Sequence, residues 1–339
     1  MNSFERVMRR LRDEPVDRPP NFDIMMAFAA HHIGQPLERY YLDYRVLAEA
    51  NLAVLRDFKL DLVQVISDPY REAADFGLQV EFPDDGLPLR RGPLLVDPND
   101  LSKLRAPDPR SGRRMSDRLD AVRYLEEKVG GEVPIMGWVE GALAEANVLR
   151  GDIALLMDLY DRPEWVRELE EICVELEIAF AEAQIEEGAN IIGLGDAITS
   201  QISAVMYREF ALPYERRIFE AVHRMGALAR LHICGNTTHL LKLMPQSGAD
   251  IIDLDWMVDM RSAAEIFGRG GPAICGNFDP VGIMLQGTEE DVRRATLKAL
   301  EEGGSRSISA AGCEIPDGTP HANLLAQSQA LQEFGASRA

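Results

Sequence analysis

The chain has 339 residues, of which 46% are hydrophobic, and a formal net charge of −20. So acidic a protein is a poor candidate for nonspecific nucleic-acid binding, which needs a basic face. No run approaches the roughly eighteen apolar residues of a membrane helix. Residues 1–20 are charged and lack the apolar core of a signal peptide. We therefore expect a cytoplasmic protein that binds neither nucleic acid nor membrane.

Short apolar runs alternate along the chain with longer segments of helical periodicity. The runs that predict strands, rich in β-branched residues and bounded by Gly, Pro or Asp, are 21–26, 62–67, 133–139, 190–195, 229–234, 250–255, 273–277 and 306–311. The segments that predict the main helices are 37–58, 117–129, 152–160, 163–187, 207–225, 236–247, 261–267, 289–303 and 320–334.

This alternation predicts an α/β protein in which residues 1–339 form one domain, a (β/α)8 TIM barrel. An open, doubly wound sheet is the alternative. The segment 76–109 breaks the alternation with short β-like runs, turns and prolines, and it predicts a small β insertion after the second strand.

Polar residues follow most of the predicted strands, where a barrel places its reactive groups. The main carboxylates at these positions are Asp68, Glu140, Asp196 and Asp255. A single polar strand end is often only a helix cap, and Asp68 before Pro69 also fits a turn. The recurrence of such ends favours one shared cavity lined by these side chains.

The most specific local pattern is His232-Ile-Cys234 at the end of the fifth predicted strand. Side chains two apart in a strand share a face, so the imidazole and the thiol point together, as in half of a zinc site. Cys313, after the last predicted strand, is the candidate third ligand. Asp253, Asp255, Glu140 and Asp196 are alternatives for a displaceable fourth ligand.

The remaining cysteines and histidines have plainer interpretations. Cys173 lies in a helical run and predicts a core residue, as does Cys275 in a strand. His31 and His32 follow the first strand and are candidates for the cavity mouth. His239 and His321 are expected in loops or helix starts.

Several longer motifs resemble the uroporphyrinogen decarboxylase superfamily. They are Phe4-Glu-Arg-Val, Glu14-Pro-Val-Asp-Arg-Pro-Pro, Ser67-Asp68, Tyr207-Arg-Glu-Phe-Ala-Leu-Pro-Tyr, Gly276-Asn-Phe-Asp-Pro and Gly318-Thr-Pro-His-Ala-Asn. The resemblance spans most of the chain and implies a (β/α)8 barrel with its cavity at the C-terminal ends of the strands.

Two branches of that superfamily differ at the site. The decarboxylases carry an arginine-rich stretch after strand one, whereas this chain has no arginine between Met25 and Glu38. They also carry Gly-His where this chain has Gly312-Cys313. Both differences disfavour decarboxylation of a tetrapyrrole.

The chain is more similar to the methylcobamide:coenzyme M methyltransferase branch. That resemblance implies that His232, Cys234 and Cys313 hold zinc, and that a thiol on the zinc takes a methyl group from a methylated corrinoid (methylcobalamin). The chain lacks the Asp-x-His-x-x-Gly motif of cobalamin-binding domains. The corrinoid is therefore expected on a separate partner protein that docks at the barrel mouth.

We thus expect a zinc-dependent corrinoid methyltransferase with a thiol acceptor, in which Asp68, Glu140, Asp196 and Asp255 line the catalytic cavity. A methyltransferase with another donor or acceptor, such as a folate or a methylated amine or ether, is one alternative. A decarboxylase is a second, and a noncatalytic binder of a corrinoid protein with structural zinc is a third.

Overall fold

The computed structural model describes residues 1–337. Its strands are β1 (Val63–Gln64), β2 (Val80–Glu81), β3 (Leu89–Arg90), β4 (Ile135–Glu140), β5 (Ile191–Gly195), β6 (Leu228–His232), β7 (Ile251–Leu254) and β8 (Ala273–Gly276). Its α-helices are α1 (Ser3–Leu11), α2 (Ala27–His32), α3 (Leu37–Leu42), α4 (Tyr44–Phe58), α5 (Arg71–Phe76), α6 (Arg113–Val129), α7 (Ala142–Arg150), α8 (Asp152–Asp161), α9 (Pro163–Glu186), α10 (Ala204–Phe210), α11 (Leu212–Arg224), α12 (Met260–Phe267), α13 (Glu289–Glu302) and α14 (His321–Ala336).

The parallel sheet curls into a barrel that two further segments close. Its strand order is β1-β4-β5-β6-β7-β8. Beyond β8, Ile308 bridges Cys275, and the next residue, Ser309, bridges Asn21. The N–H of Asp61, just before β1, donates to the carbonyl of Asn21 at 2.9 Å. The segments around Asn21 and Ser309 therefore complete the ring, and the predicted (β/α)8 barrel is confirmed.

The segment after the second barrel strand carries the expected small insertion. It follows α5 and contains the antiparallel pair β2–β3, in which Val80 lies opposite Arg90. A 3₁₀ turn, Pro98–Lys103, leads from this hairpin towards α6. The predicted β insertion is confirmed.

Apolar side chains form two layers of core. One lies inside the barrel and includes Phe22, Ile24, Met136, Trp138 and Ile251. The other packs the outer face of the strands against the surrounding helices. Because side chains alternate along each strand, the two layers come from alternate residues of the same strands.

Some predicted helices are interrupted in the structure. The segment 37–58 divides because Asp43 caps α4, its carboxylate accepting from Arg45 N at 3.0 Å. The segment 236–247, predicted as a helix, holds only the 3₁₀ turns Thr238–Leu240 and Met244–Ser247. Pro245 lacks the N–H that a continuous α-helix would use there.

Within the part of the chain that the structure covers, every helix is either too short or too polar to cross a membrane.

Candidate metal centre and cavity

Three donor side chains meet at the C-terminal ends of the barrel strands. His232 Nε2 lies 3.0 Å from Cys234 Sγ and 4.0 Å from Cys313 Sγ, and the two sulfurs are 3.5 Å apart. Tetrahedral zinc, with Zn–S of about 2.3 Å and Zn–N of about 2.0 Å, would place such ligands roughly 3.5–3.8 Å apart. The described residues therefore fit a zinc ion at this point.

Local backbone features bring the two cysteines together although they are 79 residues apart. Gly235, directly after Cys234, has φ +92° and turns the chain out of the β6 direction. Gly312 lies so close to the loop after β7 that an added Cβ would be 2.4 Å from Trp256 N. Glycine at position 312 thus lets the last loop carry Cys313 to Cys234.

A buried carboxylate orients the histidine. Asp253, on β7, contacts His232 Nδ1 through Oδ2 at 2.8 Å and accepts from Arg230 Nε through Oδ1 at 2.8 Å. Burial alone would raise the pKa of Asp253, but Arg230 and His232 hold it below its usual range. The ionised carboxylate leaves His232 Nε2 directed at the sulfurs, as in many metal sites with a carboxylate–histidine pair.

The two thiols lie within hydrogen-bonding distance of each other, with their sulfurs 3.5 Å apart. The hydrogen bond between Cys234 and Cys313 lowers the pKa of Cys313, although burial opposes this, and raises the pKa of Cys234. One of the sulfurs is therefore readily available as a thiolate, which is the form that binds metals.

A cavity of about 180 Å³ opens beside this cluster. Strand register explains its floor, because Glu140 of β4 lies level with Gly195 of β5, and Gly195 lies level with His232 of β6. A Cβ on Gly195 would be 3.0 Å from Trp138 and 3.2 Å from Glu140 Oε2. Glycine at this level therefore leaves the space between Glu140 and the three donor side chains open.

An arginine-centred network forms one wall of the cavity. Arg71, fully buried, donates to the backbone carbonyl of Asp68, to Glu72 and, at 2.9 Å, to Glu140. Glu140 also accepts from Trp138 Nε1 at 3.2 Å. Burial raises the pKa of Glu140 to about 7, although Arg71 opposes the shift.

Asp68 is both an ion-pair partner and a turn residue. Its carboxylate accepts from Arg114 Nη2 at 2.6 Å and from Tyr70 N at 3.1 Å. Burial alone would raise the pKa of Asp68, but Arg114 and Arg71 hold it below its usual range. Asp68 is thus ionised and fixed at the edge of the cavity.

Comparison with known proteins assigns the chain to a family. Residues 2–334 match the protein family described as uroporphyrinogen decarboxylase (URO-D). The chain belongs to the URO-D family.

Individual relatives fall into two groups. Methylcobamide:CoM methyltransferase MtbA of Methanosarcina acetivorans is 33% identical over 97% of each chain. The uroporphyrinogen decarboxylase of Xanthomonas campestris pv. campestris is 28% identical over 89% of this chain and 90% of its own. The structure of a methyltransferase from Methanosarcina mazei shares the fold, with a TM-score of 0.90 at 23% identity over 98% of this chain and 99% of its own.

Two of the carboxylates expected to line the cavity of this URO-D protein lie elsewhere. Asp196 faces the start of α7, where a Cβ on Gly141 would be 2.4 Å from its carboxylate. Asp255 accepts from Gly235 N at 2.9 Å and from Met257 N at 3.1 Å. Its carboxylate thus joins the loop after β6 to the loop after β7. Neither side chain is among the described residues that line the cavity, because a strand-end residue can turn into a neighbouring loop or helix instead of the barrel mouth. A role for Asp196 and Asp255 in the site stays a prediction.

The other cysteines and the first-strand histidines also lie apart from the cluster. Cys173 is buried in α9, and Cys275 is buried inside the barrel. His31 contacts Asp85 of the β2–β3 hairpin at 2.6 Å. Neither His31 nor His32 is among the described residues that line the cavity.

Sequence reasoning did not pick out Arg230, Trp138 or Arg114. A signal for Arg230 was available, because Arg230, His232 and Cys234 alternate on one face of a strand. Trp138 carries the same kind of signal, two residues before Glu140. Arg114 comes from α6, and its approach to Asp68 depends on helix packing.

Proposed function

We propose that this URO-D family protein is a zinc-dependent methyltransferase that moves a methyl group between a methylated corrinoid and a thiol. The observation that carries the proposal is the cluster of His232, Cys234 and Cys313, whose donor atoms all lie within 4.8 Å of one another, beside a cavity. Three protein ligands are typical of a catalytic zinc site, which keeps one position for substrate. The similarity to the MtbA methyltransferases supports this choice, and we infer that the corrinoid arrives on a partner protein.

The reaction is a displacement at carbon. When bound, zinc supplies a Lewis acid that keeps the acceptor sulfur as a thiolate near neutral pH. A carbon–sulfur bond forms while the cobalt–carbon bond breaks, and cobalt keeps that bond's electron pair, passing from Co(III) to Co(I). The proton of the thiol passes to water.

The chain's own residues position the reactants. Asp253 holds the ring of His232 so that Nε2 faces the cysteines. Arg71, anchored on the carbonyl of Asp68, fixes the carboxylate of Glu140 at the cavity wall. Apolar side chains, including Met26, Ile66 and Trp138, form much of the remaining lining and exclude water from the methyl path.

Decarboxylation of a tetrapyrrole acid is disfavoured by the same cavity. Such a substrate carries several carboxylates and needs accessible cations. Among the described lining residues, Arg71 is the one arginine or lysine, and its side chain is 0% exposed. Its guanidinium already binds Glu72 and Glu140.

The test is methyl transfer by zinc-loaded protein. Methylcobalamin and a panel of thiols are mixed anaerobically, cob(I)alamin absorbance is followed, and the methyl thioether is identified by mass spectrometry. We expect thioether formation, and its loss in Cys313→Ala together with zinc. Cys173→Ala, which changes a buried cysteine of α9, is the matched control and should keep both. Absence of any thioether, with free methylcobalamin and with a purified methylated corrinoid protein, would overturn the proposal.

A further inference from the structure

Of the Asp, Glu, Lys and Arg side chains that line the cavity, most are acidic. Glu140 and Glu314 both line it, together with Asp68 and with Arg71, the one arginine or lysine among the described lining residues. Arg71 has no exposed side-chain surface, and its guanidinium is engaged by two glutamates. It therefore offers little to an anionic ligand.

The two glutamates each leave one oxygen free of protein donors. Glu140 Oε1 accepts from Arg71 and Trp138, whereas no hydrogen bond to Oε2 is found among the described residues. Glu314 Oε1 accepts from Met26 N at 3.3 Å and Ala27 N at 3.0 Å, and its Oε2 likewise has no such bond within residues 1–337. The side-chain atoms that have neither a hydrogen-bond partner nor solvent exposure do not include Glu140 Oε2 or Glu314 Oε2. A ligand in the cavity can therefore reach both oxygens.

These oxygens belong to side chains fixed from behind. Glu140 is held by the buried Arg71, and Glu314 is held by the N–H groups of Met26 and Ala27 at the start of α2. A carboxylate oxygen accepts hydrogen bonds and attracts cations, and its effect is stronger where water is largely excluded. The cavity therefore matches a ligand with a positively charged hydrogen-bond donor.

We propose that the acceptor is a small aminothiol, whose ammonium group binds Glu140 and Glu314 while its sulfur occupies the site of His232, Cys234 and Cys313. This inference rests on the proposed thiol methylation and names the class of thiol. It also balances charge, because an ammonium offsets the negative charge of the bound thiolate, whereas a sulfonate or carboxylate would add to it.

A series of thiols built on the same two-carbon chain tests the proposal. Cysteamine, 2-mercaptoethanol and 2-mercaptoethanesulfonate share one carbon chain and differ in the terminal group. Each is titrated calorimetrically into zinc-loaded protein, and each is then assayed as methyl acceptor. We expect cysteamine to bind at least about tenfold more tightly than 2-mercaptoethanol, with the sulfonate weakest, since hydrogen bonds to charged groups exceed neutral ones by roughly this much.

Variants separate the cavity from the acidic surface as a whole. Glu140→Gln and Glu314→Gln keep the oxygen that faces the protein donors but remove the charge, so the preference for cysteamine should fall by about tenfold in each. Zinc content is measured for both. Glu289→Gln, at an exposed position at the start of α13, also removes one negative charge, and it should leave the preference for cysteamine unchanged.

The outcomes distinguish the two proposals. If no thiol is methylated, the proposed function fails. If thiols are methylated but the sulfonate binds as well as or better than cysteamine, the aminothiol inference fails and the proposed function stands. Equal loss of preference in Glu289→Gln would also overturn the inference, because the effect would then belong to the surface charge.

Discussion

At the residue scale, the decisive contact is the one between His232 and Asp253. Asp253 is buried between His232 and Arg230, and Arg230 lies inside the barrel with no exposed surface. A buried guanidinium of this kind requires a partner, since an unpaired charge there is strongly destabilising. The carboxylate therefore has two functions, compensation of the charge of Arg230 and orientation of the ring of His232.

Replacing Asp253 with Asn should weaken zinc binding. The amide keeps the shape but loses the charge that polarises the imidazole, so we expect the dissociation constant for zinc to rise about 10–100-fold. Competition with a chromophoric chelator measures it. Asp250→Asn is the matched control, because Asp250 contacts His223 at 2.9 Å in a similar pair on the outside of the barrel. Unchanged zinc affinity in Asp253→Asn would contradict the orienting function.

How far the site follows from sequence differs from residue to residue. His232 and Cys234 could be paired because strand alternation fixes their common face. Cys313 could be proposed from its position after the last predicted strand, but its close approach to Cys234 could not, because that approach depends on how closely Gly312 packs on the loop after β7. Asp253 and Asp255 could not be told apart in function, because one points to a neighbouring strand and the other to loop amides.

At the element scale, three separate segments meet at the barrel mouth. Glu314, in the last loop, accepts from the first N–H groups of α2. His31, at the end of α2, contacts Asp85 of the β2–β3 hairpin at 2.6 Å and Asp317 of the last loop at 3.0 Å. The insertion is thus joined to the loop that carries Cys313 through one histidine.

This histidine should make stability depend on pH. The hydrogen bond to Asp85 raises the pKa of His31 above 6.5, with burial opposing and Asp317 adding to the effect. A raised pKa means that the folded state binds the proton more tightly. The contribution of His31 is therefore complete below about pH 6.5 and is lost as the pH rises through the raised pKa.

Urea unfolding of wild type and His31→Gln across this pH range measures the contribution. The difference in unfolding free energy should be largest on the acidic side and should shrink towards alkaline pH. Asp85→Asn removes the main partner and should reduce the pH dependence in the same way. A difference that is constant with pH would show that protonation of His31 has no part in joining the segments.

The elements themselves followed from sequence more fully than the site. Six of the eight predicted barrel strands are strands of the sheet, since buried apolar runs bounded by Gly, Pro or Asp leave few alternatives. The first and last predicted strands, 21–26 and 306–311, are held by isolated bridges. A capping box formed by Thr288 and Asp291 opens α13, close to the predicted start of this helix at residue 289. The prediction of a helix over 236–247 was wrong because it relied on the apolar periodicity of the segment and gave too little weight to Pro245. In the structure, a short 3₁₀ turn begins next to this proline.

At the scale of the whole molecule, the barrel has its own core, independent of the metal. The interior layer and the helix–strand layer are both extensive, and the three ligands sit at one end of the strands. We therefore expect removal of zinc by a chelator to leave the far-ultraviolet circular dichroism unchanged at room temperature.

The same treatment should lower the melting temperature. A ligand that binds only the folded state stabilises it by about 2.7 kcal/mol at a concentration a hundredfold above its dissociation constant. Cys313→Ala, melted with and without the chelator, is the control and should show no shift. Global unfolding on chelation would instead indicate a structural ion and a noncatalytic protein.

The two cysteines of the candidate metal site follow segments that are paired to different extents in the barrel. β6 has hydrogen-bonded strands on both sides, whereas the segment before Cys313 is held to its neighbours by isolated bridges. An ion bound by both Cys234 and Cys313 would join this weakly paired segment to the end of β6, which is paired on both sides. Amide exchange in residues 307–313 would then slow when the ion binds, so the backbone there would report occupancy even in the absence of substrate.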